Sequence, residues 1–323
     1  MNYTAERLTV DDAEVVSLAD TRAKTQLSIV PSIGNNAYEM KVNGQSALWS
    51  PYSRLEELKA KPAQVGNPFL APWANRIDQD AYWVNGKKYL LNPELKNFRY
   101  DAFQQPIHGL VVYAPHWQVV SLKSGEEEAA VTSRLEFWRY PGWMAQFPFA
   151  HNYEMTYRLR NGVVEVETTL ENLANEPMPV CVAYHGYFTL PKVDRDSWRI
   201  RIPAREHVVL NEKLTPTGER RPFTPAQPIE LRGRQFDDVF TSLEPGGEFS
   251  VEGGGKKIIV KFGPRFRVGV VYAPQGRDFI CFEPMSAVTN AFNLAHAGKY
   301  AELQSIAPGG SWRESYWIQT AGF

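Results

Sequence analysis

The chain is poor in cysteine. It has two in 323 residues, Cys181 and Cys281. That is too few for a disulfide framework, and they lack the paired spacing of a zinc site. Each lies in an apolar run, so the expectation is two buried free thiols in a reducing, cytoplasmic setting, with one bridge between them as the alternative. Long apolar runs are also missing. Nothing approaches about 18 consecutive apolar residues, the length a membrane-spanning helix needs. The opening stretch, MNYTAERLTVDDAEVV, has no basic region followed by an apolar one, so no signal peptide is expected. Charge of one sign is not in excess either. Lys and Arg number 35 against 36 Asp and Glu, a net charge of −1, which leaves no footprint for nucleic acid or an anionic membrane. There is no glycine-rich nucleotide fingerprint and no nucleophile-elbow motif.

Helix-period patterning is scarce as well. Residues 53–60, SRLEELKA, form one of few candidate helices, with Ser53 as N-cap and Glu56 three residues on. Short alternating runs dominate instead: 7–10, 14–18, 26–30, 38–42 and 47–50 in the first fifty residues. Later runs fall at 116–122, 129–138, 198–202, 208–210, 257–262, 266–272 and 312–318. Two Asn-Gly pairs, Asn85-Gly86 and Asn161-Gly162, sit between apolar runs and predict hairpins. The aromatic content of 9 Trp, 15 Tyr and 17 Phe suits a β-rich core, and also suits flat rings for sugar faces. The expected fold is all-β, a large antiparallel β-sandwich with few short helices, in one domain over residues 1–323.

Two stretches carry chemistry. Residues 179–191, PVCVAYHGYFTLP, read as a strand delivering His185 to its end. Gly186 then lets the backbone bend or approach a ligand, and Tyr187 and Phe188 supply aromatic surface. Residues 278–294, DFICFEPMSAVTNAFNL, read as a buried strand interrupted by Glu283. A glutamate there is costly unless paired or functional. Pro284 is expected to end that strand, having no N–H to donate. A histidine and a glutamate at two strand ends are a minimal acid and base pair. The competing readings are a turn-capping histidine and a structural ion pair. His108 precedes Gly109 in a similar pattern. The irregular segment 66–77, GNPFLAPWANRI, is apolar enough to fold inward with Arg76.

These motifs together resemble the aldose 1-epimerases, or galactose mutarotases. The matching runs are FLAPWANRI at 69–77, IHGL at 107–110, YHGYFTL at 184–190, FDDVF at 236–240, CFEPMSAVTNAFN at 281–293 and PGGSW at 308–312. The resemblance implies the family's β-supersandwich, no metal or organic cofactor, and a monosaccharide as the small-molecule partner of a monomer or homodimer. It further implies His185 as general acid on the sugar ring oxygen and Glu283 as general base on the anomeric hydroxyl. His108 would orient or polarise the ring oxygen, and Asn75, Arg76 and Asp237 would bind hydroxyls. A carboxylate near His185 is expected to raise the imidazole and favour its charged form. Tyr184 and Thr189 stand where the family usually has Asn, which implies altered specificity. Asp237 and Asp238 are adjacent, and alternation allows only one to face the site. His116, His151, His207 and His296 have no motif support. The implied activity is interconversion of α and β anomers of a free aldohexose or related sugar. A hexose-6-phosphate 1-epimerase using Arg205, Arg232 and Arg234, or a non-catalytic sugar-binding protein, are the alternatives.

Overall fold

The computed structural model describes residues 2–323. Three antiparallel sheets carry the architecture. An N-terminal sheet of five strands runs in sequence order through Tyr3–Val10, Ala13–Asp20, Thr25–Val30, Asn36–Val42 and Gln45–Ser46. A nine-stranded sheet has at its centre His151–Arg160, Val163–Asn172, Ser311–Ala321, Lys256–Phe262 and Glu248–Gly253. An eight-stranded sheet runs Pro216–Pro222, Ala204–Leu210, Phe236–Leu243, Val268–Ala273 and Ile280–Met285. Beside Ile280–Met285 lie Ala183–Tyr184 and Gly186–Phe188, with Phe69–Leu70 at the edge. Among the described residues the α-helices are three short pieces of 6 residues each, Leu55–Ala60, Pro141–Gln146 and Ala291–His296. No helix of the described residues is long and apolar enough to cross a membrane.

Local sequence explains the hairpins. Asn85 and Gly86 take φ of 51° and 75°, and Asn161 and Gly162 take 51° and 71°. Both central residues of a tight two-residue hairpin turn must be left-handed, which Asn and Gly tolerate. The longer hairpin pairs residues 151–160 with 163–172 without a bulge. One face of Val163–Asn172 is buried at every second residue, the period a half-wet strand requires.

The eight- and nine-stranded sheets face each other across the main core. Tyr184 packs on Tyr316 with ring centroids 4.8 Å apart and the rings tilted at 48°, and its hydroxyl meets that of Thr168. Phe282 reaches Phe249 at 5.8 Å. One contiguous cluster of buried apolar side chains runs from Tyr3 to Ile318. Burial of such aromatics contributes on the order of 2–3 kcal/mol each, before conformational entropy is subtracted.

Several local expectations are corrected. The helix begins at Leu55 with Arg54 as N-cap. The Glu57 carboxylate, not Glu56, accepts from the backbone N–H of Ser53 and Arg54. Asp11 takes the N–H of Glu56. The run at 47–50 is not a strand; pairing there ends at Ser46, with one bridge from Leu48 to Phe188. The strand Ile280–Met285 continues through Pro284, which lies opposite Gly269. Beside it the partner strand falls into two pieces, Ala183–Tyr184 and Gly186–Phe188, with the N–H of the intervening His185 donating to Pro68 O at 2.9 Å.

Candidate active site

Strand register builds the central pair. Ala183 pairs with Met285 and Gly186 with Phe282, so the same register sets residue 185 opposite residue 283. Directly opposed residues of an antiparallel pair project from one face with their Cβ atoms close together. The His185 Nε2 and Glu283 Oε1 atoms are accordingly 3.3 Å apart. This face is the one turned away from the nine-stranded sheet. Tyr184, one residue earlier, points into the main core instead.

The same parity settles which aspartate faces the pair. Asp237 lies opposite Tyr272, and Tyr272 opposite Cys281. Cys281 is two residues from Glu283, so Asp237 shares its face. Asp238 projects from the other side, where its Oδ1 is 2.8 Å from His207 Nε2.

His108 and Arg76 arrive on loops laced to the eight-stranded sheet. Phe69 and Leu70 pair with Tyr184 and Ala183. Further along the same segment, Ala71 O accepts from the N–H of Leu110 at 2.7 Å, and Asn75 O accepts from the N–H of His108 at 2.9 Å. Segment 66–77 therefore holds both histidine segments. Asn75 and His108 have φ of 56° and 65°, left-handed values that non-glycine residues hold only when surroundings impose them. Gly109 is at φ +68°, and a Cβ there would sit 2.1 Å from Ala71 O, so only glycine fits this crossing. Gly186 has a different role from the one its sequence position suggests. Its missing Cβ makes room for the Phe188 ring, 2.8 Å away, and for Asn67. It does not bend the strand toward a ligand.

The Arg76 guanidinium is held on two sides. Its Nε donates to Asp101 Oδ2 at 2.6 Å and its Nη1 to Asn75 Oδ1 at 3.0 Å. Asp101 is in turn fixed by the N–H groups of Phe103 and Gln105, both at 2.9 Å. Nη2 has no protein partner among the described residues. Asp101 went unrecognised in the sequence; an isolated Asp in YDAFQQ carries no local signal for a partner twenty-five residues away.

Burial controls the electrostatics. His185 is 6% exposed and Glu283 1%. Burial pushes the imidazole down to about 3, and burial reinforced by Asp237 pushes the Glu283 carboxyl well above the usual carboxylate range. The expectation that a neighbouring carboxylate would raise His185 is therefore overturned, because desolvation outweighs the attraction. Both shifts disfavour charge, so burial favours a net-neutral pair in which one proton is shared between imidazole and carboxylate. His108 is pushed well down by burial, with His185 and the nearby arginines adding to it. Its ring centroid is 5.4 Å from that of His185. Asp237 is raised mainly by burial.

Three atoms at this site are buried and unpartnered: His185 Nδ1, His108 Nδ1 and Glu283 Oε2. Buried polar atoms are ordinarily satisfied, and exceptions call for a reason such as a catalytic role. An aromatic wall flanks the pair. Tyr187 stacks on His185 at 4.7 Å, and Trp49 and Phe279 pack at 4.6 Å beside it. The cysteines are free and buried, with Cys281 beneath this wall.

The remaining residues singled out in the sequence lie elsewhere. Thr189 donates to Asp278 O at 2.7 Å, serving the backbone. Tyr184 lies in the main core. His151 packs on Phe137, His116 on Tyr140 and His296 on Trp83. Arg205, Arg232 and Arg234 are exposed.

The family model for Aldose 1-epimerase matches residues 16–319. The chain belongs to the aldose 1-epimerase family. Its fold is similar to that of a galactose mutarotase-like protein from Clostridium acetobutylicum, with TM-score 0.88 at 19% identity over 100% of this chain and 99% of that one. It is also similar to galactose 1-epimerase from Lactobacillus acidophilus NCFM, with TM-score 0.75 at 14% identity over 99% and 100%. In sequence it is 23% identical to the uncharacterized protein YihR of Escherichia coli (strain K12), over 69% of this chain and 70% of that protein. At these identities the structural likeness speaks for the fold, and the aldose 1-epimerase sandwich is what the chain shares with these proteins.

Proposed function

We propose that the protein is an aldose 1-epimerase interconverting the α and β anomers of a free aldohexose or a related sugar. The observation that carries this reading is the His185–Glu283 pair, 3.3 Å apart on one sheet face, with unpartnered atoms beside it. Mutarotation opens a hemiacetal, rotates the aldehyde about one C–C bond and recloses the ring. The ring oxygen gains a proton as its bond to the anomeric carbon breaks, and the anomeric hydroxyl loses one.

In this reading the pair's one proton lies on His185 Nε2 when the sugar is bound, so His185 protonates the ring oxygen while the ionised Glu283 removes the hydroxyl proton, and they exchange roles on closure. The pair's single proton balances the cycle: one is given, one is taken, and the site ends net neutral. Each transfer is worth roughly 10²–10⁴-fold. Neutral His108 orients the ring oxygen with a ring N–H. Asn75, Arg76 and Asp237 bind hydroxyls, Arg76 through its free Nη2 edge, and the aromatic wall packs the apolar face of the ring.

The test is relaxation of freshly dissolved single anomers of a panel of aldoses, followed by optical rotation. Relaxation above the buffer rate for at least one aldose supports the reading, and buffer rates throughout the panel contradict it. Glucose against glucose 6-phosphate distinguishes a free-sugar enzyme from a phosphosugar one.

A further inference from the structure

A cavity of about 540 Å³ lies apart from the catalytic face. Its floor includes Phe249, whose ring occupies the space a Cβ on Gly269 would need and packs on Phe282. It therefore lies on the reverse of the sheet from Glu283. Phe249 and Phe262 stack at 4.4 Å and 17°, and Phe266, Leu243 and Trp317 complete an apolar wall. Leu243, Phe262 and Trp317 are partly exposed, so the wall opens to solvent between the turn at Gly246-Gly247 and the one at Pro264.

Two arginines at the mouth carry no ion pair among the described residues. Arg220 is held by Glu302 at 2.7 Å and Glu206 at 3.7 Å. Glu244 is held by Arg201 at 3.3 Å. Arg267 is exposed, and no ion pair engages it among the described residues. Arg267, now with Arg265, also lines an adjoining hollow of about 420 Å³ that shares Glu302 with the larger cavity. Arg265 likewise has no ion-pair partner among the described residues. Arg220 is shared by two carboxylates, and Glu314 accepts from the Arg265 backbone N–H, whereas the Arg267 and Arg265 guanidinium groups are left without an ion pair.

Ligand cavities are typically about 300–1,000 Å³, largely apolar, with a few placed polar groups. We propose that this cavity is a second ligand site, for a small amphipathic anion with an apolar or aromatic body and one anionic group. The body lies against Phe249, Phe262 and Trp317, and the anionic end meets Arg267 with Arg265 behind it. A neutral polyol fits poorly, because the wall offers rings where hydroxyls need partners. A cation meets the wrong charge at the mouth.

The probe is 8-anilinonaphthalene-1-sulfonate, titrated by fluorescence into the folded full chain. One saturable site per chain is expected, weakened at least tenfold in Arg267→Glu and abolished in Leu243→Trp, which fills the cavity. Far-ultraviolet circular dichroism and a cooperative thermal transition matching the unaltered protein show that both variants keep their fold. A saturating aldose is expected to leave probe binding unchanged. Unaltered affinity in both variants, or displacement of the probe by the aldose, overturns the proposal.

Discussion

His185 and Glu283 are cross-strand neighbours, with Nε2 3.3 Å from Oε1 and the surrounding sheet excluding water from both. Their closeness follows from register, and their protonation follows from burial. Desolvation lowers His185 and raises Glu283, so burial favours a net-neutral pair that shares one proton.

That shared proton sets the pH dependence. Activity needs one proton on the pair, and a second arrives only when the pH falls toward the His185 value of about 3. The turnover rate is therefore expected to be flat through neutrality and to fall on the acid side well below pH 6, provided the fold persists. A stopped-flow rate profile with an acid midpoint near the free imidazole value of about 6.5 would be inconsistent with this.

Arg76 depends on Asp101 for its orientation, through a 2.6 Å charge-assisted bond. Such bonds are worth about 1.5–3 kcal/mol. Asp101→Ala is expected to raise KM by about tenfold or more, with kcat changed by less than about threefold. Asp101→Asn, which still offers an acceptor oxygen, recovers part of the loss. A fall in kcat at constant KM would show that Asp101 does something other than position the guanidinium.

The adjacent aspartates separate cleanly. Asp237 shares the face of Glu283, and Asp238 holds His207 at 2.8 Å on the other side. Asp237→Asn is expected to raise KM about tenfold, through loss of a charged hydroxyl acceptor. Asp238→Asn is expected to leave KM within about twofold and to shift only the unfolding midpoint. Steady-state kinetics on the two variants distinguish these outcomes.

Acid stability follows from buried histidines. Burial lowers His151 to about 4, below the unfolded value of about 6.5. Between these values the unfolded chain binds a proton that the folded chain refuses. Stability is therefore full above about pH 6.5 and is lost as the pH falls toward 4, by about 2 kcal/mol at pH 5 from this residue. His185, and His108 on direction alone, add with the same sign. Urea midpoints at pH 7 and pH 5 check this: the drop is expected to shrink in His151→Gln.

Much of the fold was legible because it is local. Asn85-Gly86 and Asn161-Gly162 demand left-handed turns, and Val163–Asn172 alternates by itself. The site was legible as residue types, since a glutamate in an apolar strand and a histidine before a glycine both conflict with plain packing. What could not be read is whatever depends on register. Nothing near Tyr184 says that it faces Tyr316 while its neighbour faces Glu283. Nothing in the Pro284 segment says that the strand runs on through the proline. Asp101 was invisible for the same reason, because its partner Arg76 is supplied by a loop crossing. The charge state of His185 was misjudged because proximity to a carboxylate is written in the motif, whereas the depth of burial is a property of the assembled sheet.

The most direct measurement of the central claim is the anomer-interconversion rate of the unaltered protein beside His185→Gln and Glu283→Gln, followed by polarimetry on the preferred aldose. Each substitution is expected to lower kcat by about 10²–10⁴-fold, with folding intact and KM little changed. The double variant is expected to be little worse than the poorer single one, since the two act as one proton-transferring unit. If either single variant keeps the full rate, the pair is not the catalytic centre.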